Sequence, residues 1–404
     1  MDIEKLLGIM LDAGVLLIRS GGETNRVVDT LYRLAGSYSF REINFWVVPS
    51  NIQATITAPD GKRYTQIRNI RGSGIDFDRL AKLNALSRWA CAEKPDVETL
   101  EARFLEIKNT PPQRAWRVYL GCALAGWGFS IFFGGDLLDS CVALLAALLI
   151  AFVTRVLSAH EGNPLILNFI VSFVTEMFII TSVHLGFGRH MGLITIGVVM
   201  LVISGLGTTN GLRDLVHLDT LSGVMNITAA FIGAIGISLG IALPLFILRD
   251  WVGETVTQAP SAVNQLIFGT FACAGFALWF HVRGRNVVYC AIGAFITTAV
   301  YLLMFRLLPD LFVATLAASV VCGAYAQIMA RRNKTPATIF STVCILTLIP
   351  GSSLYYTMHG IVTKDVTFAV DKAVELGLTC FGIVLGYMIV EVINRFFWKR
   401  RQHS

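Results

Sequence analysis

Charged side chains are scarce in this 404-residue chain: they fill 15% of positions, where a soluble domain carries about 25%. That deficit excludes a wholly soluble enzyme. It is also uneven. Residues 1–115 hold 30 charged positions, an ordinary density, whereas residues 116–404 hold 30 among 289, too few to cover a water-facing surface. Histidine is absent from the first 115 residues, which removes the commonest general base, and no Ser-His-Asp, Cys-His or paired-carboxylate set can be assembled there. The eight cysteines stand singly with no Cys-x-x-Cys pair. A disulfide framework and a zinc site are thereby excluded, and nothing points to another metal or a cofactor. The net charge is +6, but the only basic runs, Arg331-Arg332-Asn333-Lys334 and Lys399-Arg400-Arg401, adjoin apolar spans. Cations there serve membrane topology, so nucleic acid is not a partner.

What remains is a chain in two parts: a cytosolic α+β domain, residues 1–115, and a polytopic α-helical membrane region. The N-terminus is not a signal peptide, because Asp2, Glu4, Lys5 and Asp12 interrupt any apolar core. Spacing predicts helices to about Arg19 and from Glu23 to Tyr38. Strands are predicted at Ile43–Val48, Ile52–Ala58 and Tyr64–Ile70, then helices at Asp76–Ala92 and Asp96–Lys108. Within this domain Ser20-Gly21-Gly22-Glu23-Thr24-Asn25-Arg26 admits two readings. Ser20 and Glu23 have the spacing of a helix capping box; equally, Gly-Gly ahead of a helix exposes amide donors suited to an anion or ligand.

Ten apolar segments follow, at about 116–133, 138–158, 164–184, 190–206, 220–248, 263–281, 286–305, 309–330, 336–358 and 372–397. With the N-terminus inside, twelve Lys/Arg fall at cytoplasmic ends and five at the opposite ends, so both termini are expected in the cytoplasm. The fourth segment ends Gly207-Thr208-Thr209-Asn210 and the ninth contains Pro350-Gly351-Ser352-Ser353. Gly207 and Gly351 stand 144 residues apart, close to half of the 289-residue membrane region. The membrane part therefore divides into two five-helix repeats, residues 116–250 and 251–404. An odd number of helices in each sets the second half in inverted orientation. Glycine-broken polar segments at matching places in inverted halves point to a transport site; the alternative is that these glycines only let helices pack closely, as Gly236/Gly240 and Gly382/Gly386 do.

Glu176 lies near mid-depth of the third segment, on a stripe with Asn168 and Ser172. A carboxylate at that depth marks a proton carrier, a cation ligand or a partner for a substrate amine, against the alternative of a structural hydrogen bond. Arg213 and Asp214, just past the first break, fit either a gate at the inner mouth or a helix cap.

The run from Leu16 to Val28 resembles the N-terminal motif of the threonine/serine exporter family, as do the stretch from Phe45 and the helix Leu80–Arg88. Gly207 to Asp214 followed by Ser222-Gly223 resembles that family's fourth-span motif, and Leu348 to Tyr355 its Pro-Gly motif. The resemblance covers essentially the whole chain, with one departure: Leu206-Gly207 stands where the family often has Pro-Gly. It implies a secondary exporter in the bacterial cytoplasmic (inner) membrane, moving threonine and serine by alternating access at the expense of the proton motive force. Protons, a small amino acid and the lipid bilayer are then its partners, and a homo-oligomer stays open. On this reading Gly207, Thr208, Thr209, Asn210, Pro350, Gly351, Ser352, Ser353 and Tyr355 bind substrate, and Glu176 couples the proton or holds the ammonium. Arg213 and Asp214 gate, and Ser20, Gly21, Gly22, Glu23 and Arg26 form a functional motif of the cytosolic domain. Related two-subunit systems are associated with dicarboxylate (succinate) export, which stays open as the alternative. A channel, or a membrane-embedded enzyme with a ligand-binding cytosolic domain, are further readings; the enzyme lacks an acid/base set.

Overall fold

The computed structural model describes the backbone of residues 2–402 apart from Ser73, Pro112, 204–206, 208–209, 212–213, 216–217, 252–259 and Thr363. The side chains of Met358, Val362 and 395–402 also lie outside the described set. Of the expected site residues, Thr208, Thr209 and Arg213 fall outside it.

Helix α1 (Ile3–Arg19) buries Leu6, Leu7, Met10, Leu11, Gly14 and Leu17 along one face. Asp2 opens it by accepting from the Lys5 amide at 3.0 Å. Its end is set by Gly21, which has φ 90°. The amides of Gly22 and Gly21 turn back to the carbonyls of Leu17 and Ile18 at 2.9 and 3.0 Å, the paired bonds of a Schellman end. Ser20 thus closes α1 instead of opening the next helix. Helix α2 (Thr24–Gly36) starts at Glu23, whose side chain makes no capping bond. The Ser20–Glu23 capping box does not form, and the Glu23 carboxylate is left for another partner.

Strands β1 (Glu42–Val48), β2 (Asn51–Thr57) and β3 (Arg63–Asn69) form an antiparallel sheet in the order β1-β2-β3, with Val47 opposite Ile52 and Ile56 opposite Tyr64. Ile52, Ala54 and Ile56 alternate into the core beneath α1 and α2. Helices α3 (Phe77–Glu93) and α4 (Val97–Lys108) pack against α1. These elements fall within a residue or two of their expected positions.

Beyond residue 114 the described chain is helical. Seven helices are long and apolar enough to cross a membrane: α6 (Leu137–Leu157), α7 (Pro164–His184), α9 (Thr220–Ile247), α10 (Ala262–Trp279), α11 (Arg285–Leu307), α12 (Leu311–Asn333) and α15 (Val366–Gln402). A further pair of described helices is long and apolar enough only when taken together, and it is bent, as a broken span or a re-entrant loop is. Helix α13 (Ala337–Cys344), prolonged by a 3-10 turn Leu346–Leu348, meets α14 (Gly351–Val362) at Ile349-Pro350, and the two axes bend by 48°. Pro350 has no amide to continue the helical ladder, which explains the break. The first and fourth expected segments correspond to α5 (Ala115–Phe132), below that hydropathy criterion, and to α8 (Met191–Val199), only nine residues long. The chain is a polytopic helical membrane protein.

Glycines set the closest helix crossings. A Cβ on Gly121 of α5 would lie 2.7 Å from the Gly275 carbonyl, and one on Gly275 of α10 would lie 2.6 Å from the Gly121 carbonyl. Along the same crossing, a Cβ on Gly128 would lie 2.8 Å from the Phe268 carbonyl. Gly236 and Gly240 bring α9 onto the Leu165 and Phe169 carbonyls of α7, while Gly382 and Gly386 bring α15 onto Thr315 and Ser319 of α12. In lipid, where apolar burial does not drive association, such close approach is what holds helices together.

The sheet-bearing part is docked on the helical part. The Phe77 amide donates to the Phe280 carbonyl at 3.1 Å, and the two rings meet edge to face at 5.8 Å. Arg283 pairs with Asp78 at 3.3 Å, and Arg88 donates to the Lys334 carbonyl at 2.6 Å. All these contacts use the C-terminal ends of α10 and α12 or the loops that follow them.

Candidate functional site

The break at Ile349-Pro350 opens a cavity of about 350 Å³. Pro350, Ser352 and Ser353 line it from the break, Thr347 from the preceding turn, Thr315 from α12, and Glu375 with Thr379 from α15. Phe132, Phe133, Leu193 and Ile196 form an apolar wall. The Thr315 hydroxyl is fully buried and has no hydrogen-bond partner among the described residues, an unmet polar capacity at the cavity wall. Thr347 bonds Thr298 at 2.9 Å. Glu375 accepts from Lys372 at 2.8 and 2.9 Å, so the carboxylate at the cavity wall has a cation one helical turn away. No Lys or Arg is among the described lining residues. The start of α14 adds the positive end of a helix dipole. A small solute with a carboxylate, an ammonium and a hydroxyl would find a counterpart for each group. Pro260, Gln265 and Leu311 also line the cavity; they sit at the beginnings of α10 and α12, the ends opposite to those that hold the sheet-bearing part.

Gly351 is not a lining residue. A Cβ there would fall on Met200 Sδ and lie 3.3 Å from Ile203, so the Pro350 break packs directly against the residues that follow α8. Gly207 and Asn210 are half-buried and buried respectively. The Asn210 carbonyl oxygen of its side chain has no hydrogen-bond partner among the described residues.

Glu176 is 1% exposed and accepts from the Thr195 hydroxyl through both oxygens, at 3.1 and 3.0 Å. Thr195 lies on α8, whose Leu193 and Ile196 face the cavity, so Glu176 sits behind that helix and is not itself a lining residue. Tyr355, buried on α14 with no hydrogen-bond partner for its hydroxyl among the described residues, lies within the electrostatic reach of Glu176. The expected stripe divides: Asn168 donates to the Gly233 carbonyl at 3.2 Å and Ser172 packs under Gly240, both toward α9. Glu375 was missed by sequence reasoning because its i, i+3 spacing to Lys372 looks like an interfacial ion pair.

The motif at 20–26 lies at the junction of the two parts. Glu23, 7% exposed, accepts from the Thr338 hydroxyl of α13 at 2.6 Å and pairs with Arg26 at 3.4 Å. The next residue, Thr24, lies beside Asp214. Asp214 accepts from Asn226 at 2.9 Å. Burial pushes its carboxyl up from 3.8 to about 7, against the pull of that hydrogen bond. Asp219, not Asp214, caps α9. Consecutive residues of one motif therefore reach the start of α13 and Asp214.

Asp136, Asp139 and His190 bring ligand atoms within 4.8 Å of one another. The Asp139 oxygens already accept from the amides of Asp136, Arg189 and His190 and from the His190 ring. The cluster fastens the loop before α8 to the start of α6.

Residues 8–248 match the family model described as "Putative threonine/serine exporter", and residues 265–393 match a second, "Threonine/Serine exporter, ThrE". The chain is 22% identical over 411 residues to a "Probable threonine/serine exporter" of Mycobacterium tuberculosis, covering 96% of this chain and 77% of that protein. It is 26% identical over 338 residues to a "Threonine/serine exporter" of Corynebacterium glutamicum, covering 79% and 68%. No solved structure matches.

Proposed function

The chain belongs to the threonine/serine exporter family, and from that premise we propose that it exports threonine and serine as a secondary active transporter driven by protons. The observation that carries this reading is the cavity at the Pro350 break, with its hydroxyls, one carboxylate and no cation among the described lining residues. The substrate carboxylate meets the first turn of α14 at Ser352 and Ser353, its ammonium meets Glu375, and its hydroxyl completes the unmet Thr315 hydroxyl. A lining without Lys or Arg favours a zwitterion over a dicarboxylate.

Two inverted five-helix halves, 116–250 and 251–404, rocking by alternating access are the second element of the proposal. Gly121 and Phe268 stand 147 residues apart, as do Gly128 and Gly275, so the α5–α10 contacts pair like with like. Gly236 and Gly382, and Gly240 and Gly386, each stand 146 apart and seat α9 on α7 and α15 on α12. The cavity draws on the helix ends remote from the sheet-bearing part. With that part in the cytoplasm, as the positive-inside count favours, this conformation faces outward. Glu176, through Thr195, joins α7 to α8, which packs on α14; its protonation couples to movement of the break, and it does not touch the substrate.

The test is transport by purified protein in proteoliposomes. Glu375→Gln and the double variant Ser352→Ala/Ser353→Ala, at wild-type protein level, should raise KM for threonine at least tenfold. Unchanged KM in both would remove the cavity from the proposal.

A further inference from the structure

A second cavity, about 700 Å³, lies between the sheet-bearing part and the helical part. Its walls are α2 and α3 on one side and the ends of α12 and α15 on the other. Its floor is the first turn of α13, with Thr338 and Ser341. Arg26, Arg88 and Arg331 face it together with Glu23 and Asp29, so both signs of charge look across one space of ligand-pocket size. That pattern suits a small amphoteric solute better than a pure anion or cation.

The two cavities lie at opposite ends of one buried segment. Ser341 lines the junction cavity and Thr347 the membrane cavity, six residues apart, about 9 Å along a helix. What separates them is specific. Glu23 holds Thr338 at 2.6 Å, and Tyr387 donates to the Ser341 carbonyl at 3.0 Å. Phe340, Val343 and Cys344 fill the rest, each fully buried.

We propose that the junction cavity is a loading site, where a small zwitterionic amino acid is received from the side of the sheet-bearing part before passing along α13 to the break. This rests on the exporter reading above. Glu23 and Tyr387 close its floor in the present conformation. Arg88 and Asn84 on α3 belong to the receiving wall, and the sheet-bearing part forms half of the site, not merely its cover.

The test uses the full chain in oriented proteoliposomes with labelled threonine offered from one face or the other. Asn84→Leu fills the wall without removing any observed hydrogen bond, and Arg88→Gln removes a wall cation. Each should raise KM at least fivefold from the face bearing the sheet-bearing part and leave KM from the opposite face unchanged. No change from either face, or an equal change from both, would overturn the proposal. If wild-type protein moves neither threonine nor serine from either face, the exporter reading itself fails and this one with it, a result distinct from any variant phenotype.

Discussion

Gly386 gives the most quantitative handle on the helical packing. A methyl group there would sit 2.5 Å from Ser319 Cβ and 3.0 Å from both the Leu316 carbonyl and the Val320 amide. Ordinary contact between carbons is about 3.5–4.0 Å, so α15 and α12 must part by roughly 1 Å, and two of the three obstacles are backbone that cannot swing away. Overpacking of this kind costs about 1–3 kcal/mol. The same helix supplies its own control. Gly377 has nothing within 4 Å of the added methyl, and alanine is favoured over glycine in a helix by up to about 1 kcal/mol. Gly386→Ala should therefore unfold at lower SDS fraction in mixed micelles, by about 1–3 kcal/mol. Gly377→Ala should stay within about 1 kcal/mol of wild type. Because a Cβ on Gly382 of this face would lie 3.3 Å from Thr315, a residue of the cavity lining, the same separation should also weaken threonine binding in Gly386→Ala. Equal losses in both variants, or none in Gly386→Ala, would refute the close α12–α15 contact.

Three further outcomes follow from individual contacts. Thr195→Val leaves both Glu176 oxygens without their hydroxyl donor and should cost about 1–3 kcal/mol in the same assay; a neutral result would mean that Glu176 has another donor. Asp214 keeps, when folded, a proton that the unfolded chain releases above about pH 4, since its carboxyl is raised from 3.8 to about 7. Its stabilising contribution is thus present at low pH and lost as pH rises through about 7: wild type should lose more melting temperature between pH 6 and 8 than Asp214→Asn, and equal losses would count against it. Thr338→Val removes the 2.6 Å bond to Glu23 and should speed tryptic cleavage at exposed Arg114 between the two parts; an unchanged rate would mean the other junction contacts suffice.

Much of this architecture is legible in residue order, for physical reasons. Alternation at Ile52, Ala54 and Ile56 and the 3.6-residue spacing of α1 follow from burial on one face, which sequence records directly. Pro350-Gly351 announces a break because one residue lacks an amide and the other adds no side chain. Where sequence misleads, a local pattern has two outcomes. Ser20 and Glu23 have capping-box spacing, but Gly21 at φ 90° closes α1 first, so the carboxylate reaches instead to a helix 315 residues away. Glu176 stands out in sequence as an isolated charge in an apolar run, whereas Glu375, three residues from Lys372, carries no such signal; only the fold shows which of the two carboxylates lines the cavity. Contacts such as Thr24 with Asp214 leave no periodic trace.

The central claim, carrier-type export of threonine and serine through the Pro350 cavity, is tested most directly by counterflow in proteoliposomes. Vesicles loaded with unlabelled threonine or serine should transiently accumulate labelled threonine above its external concentration, and Glu375→Gln at equal protein level should abolish the overshoot. Labelled threonine that merely equilibrates without overshoot, at a rate indifferent to the internal load, would contradict the account.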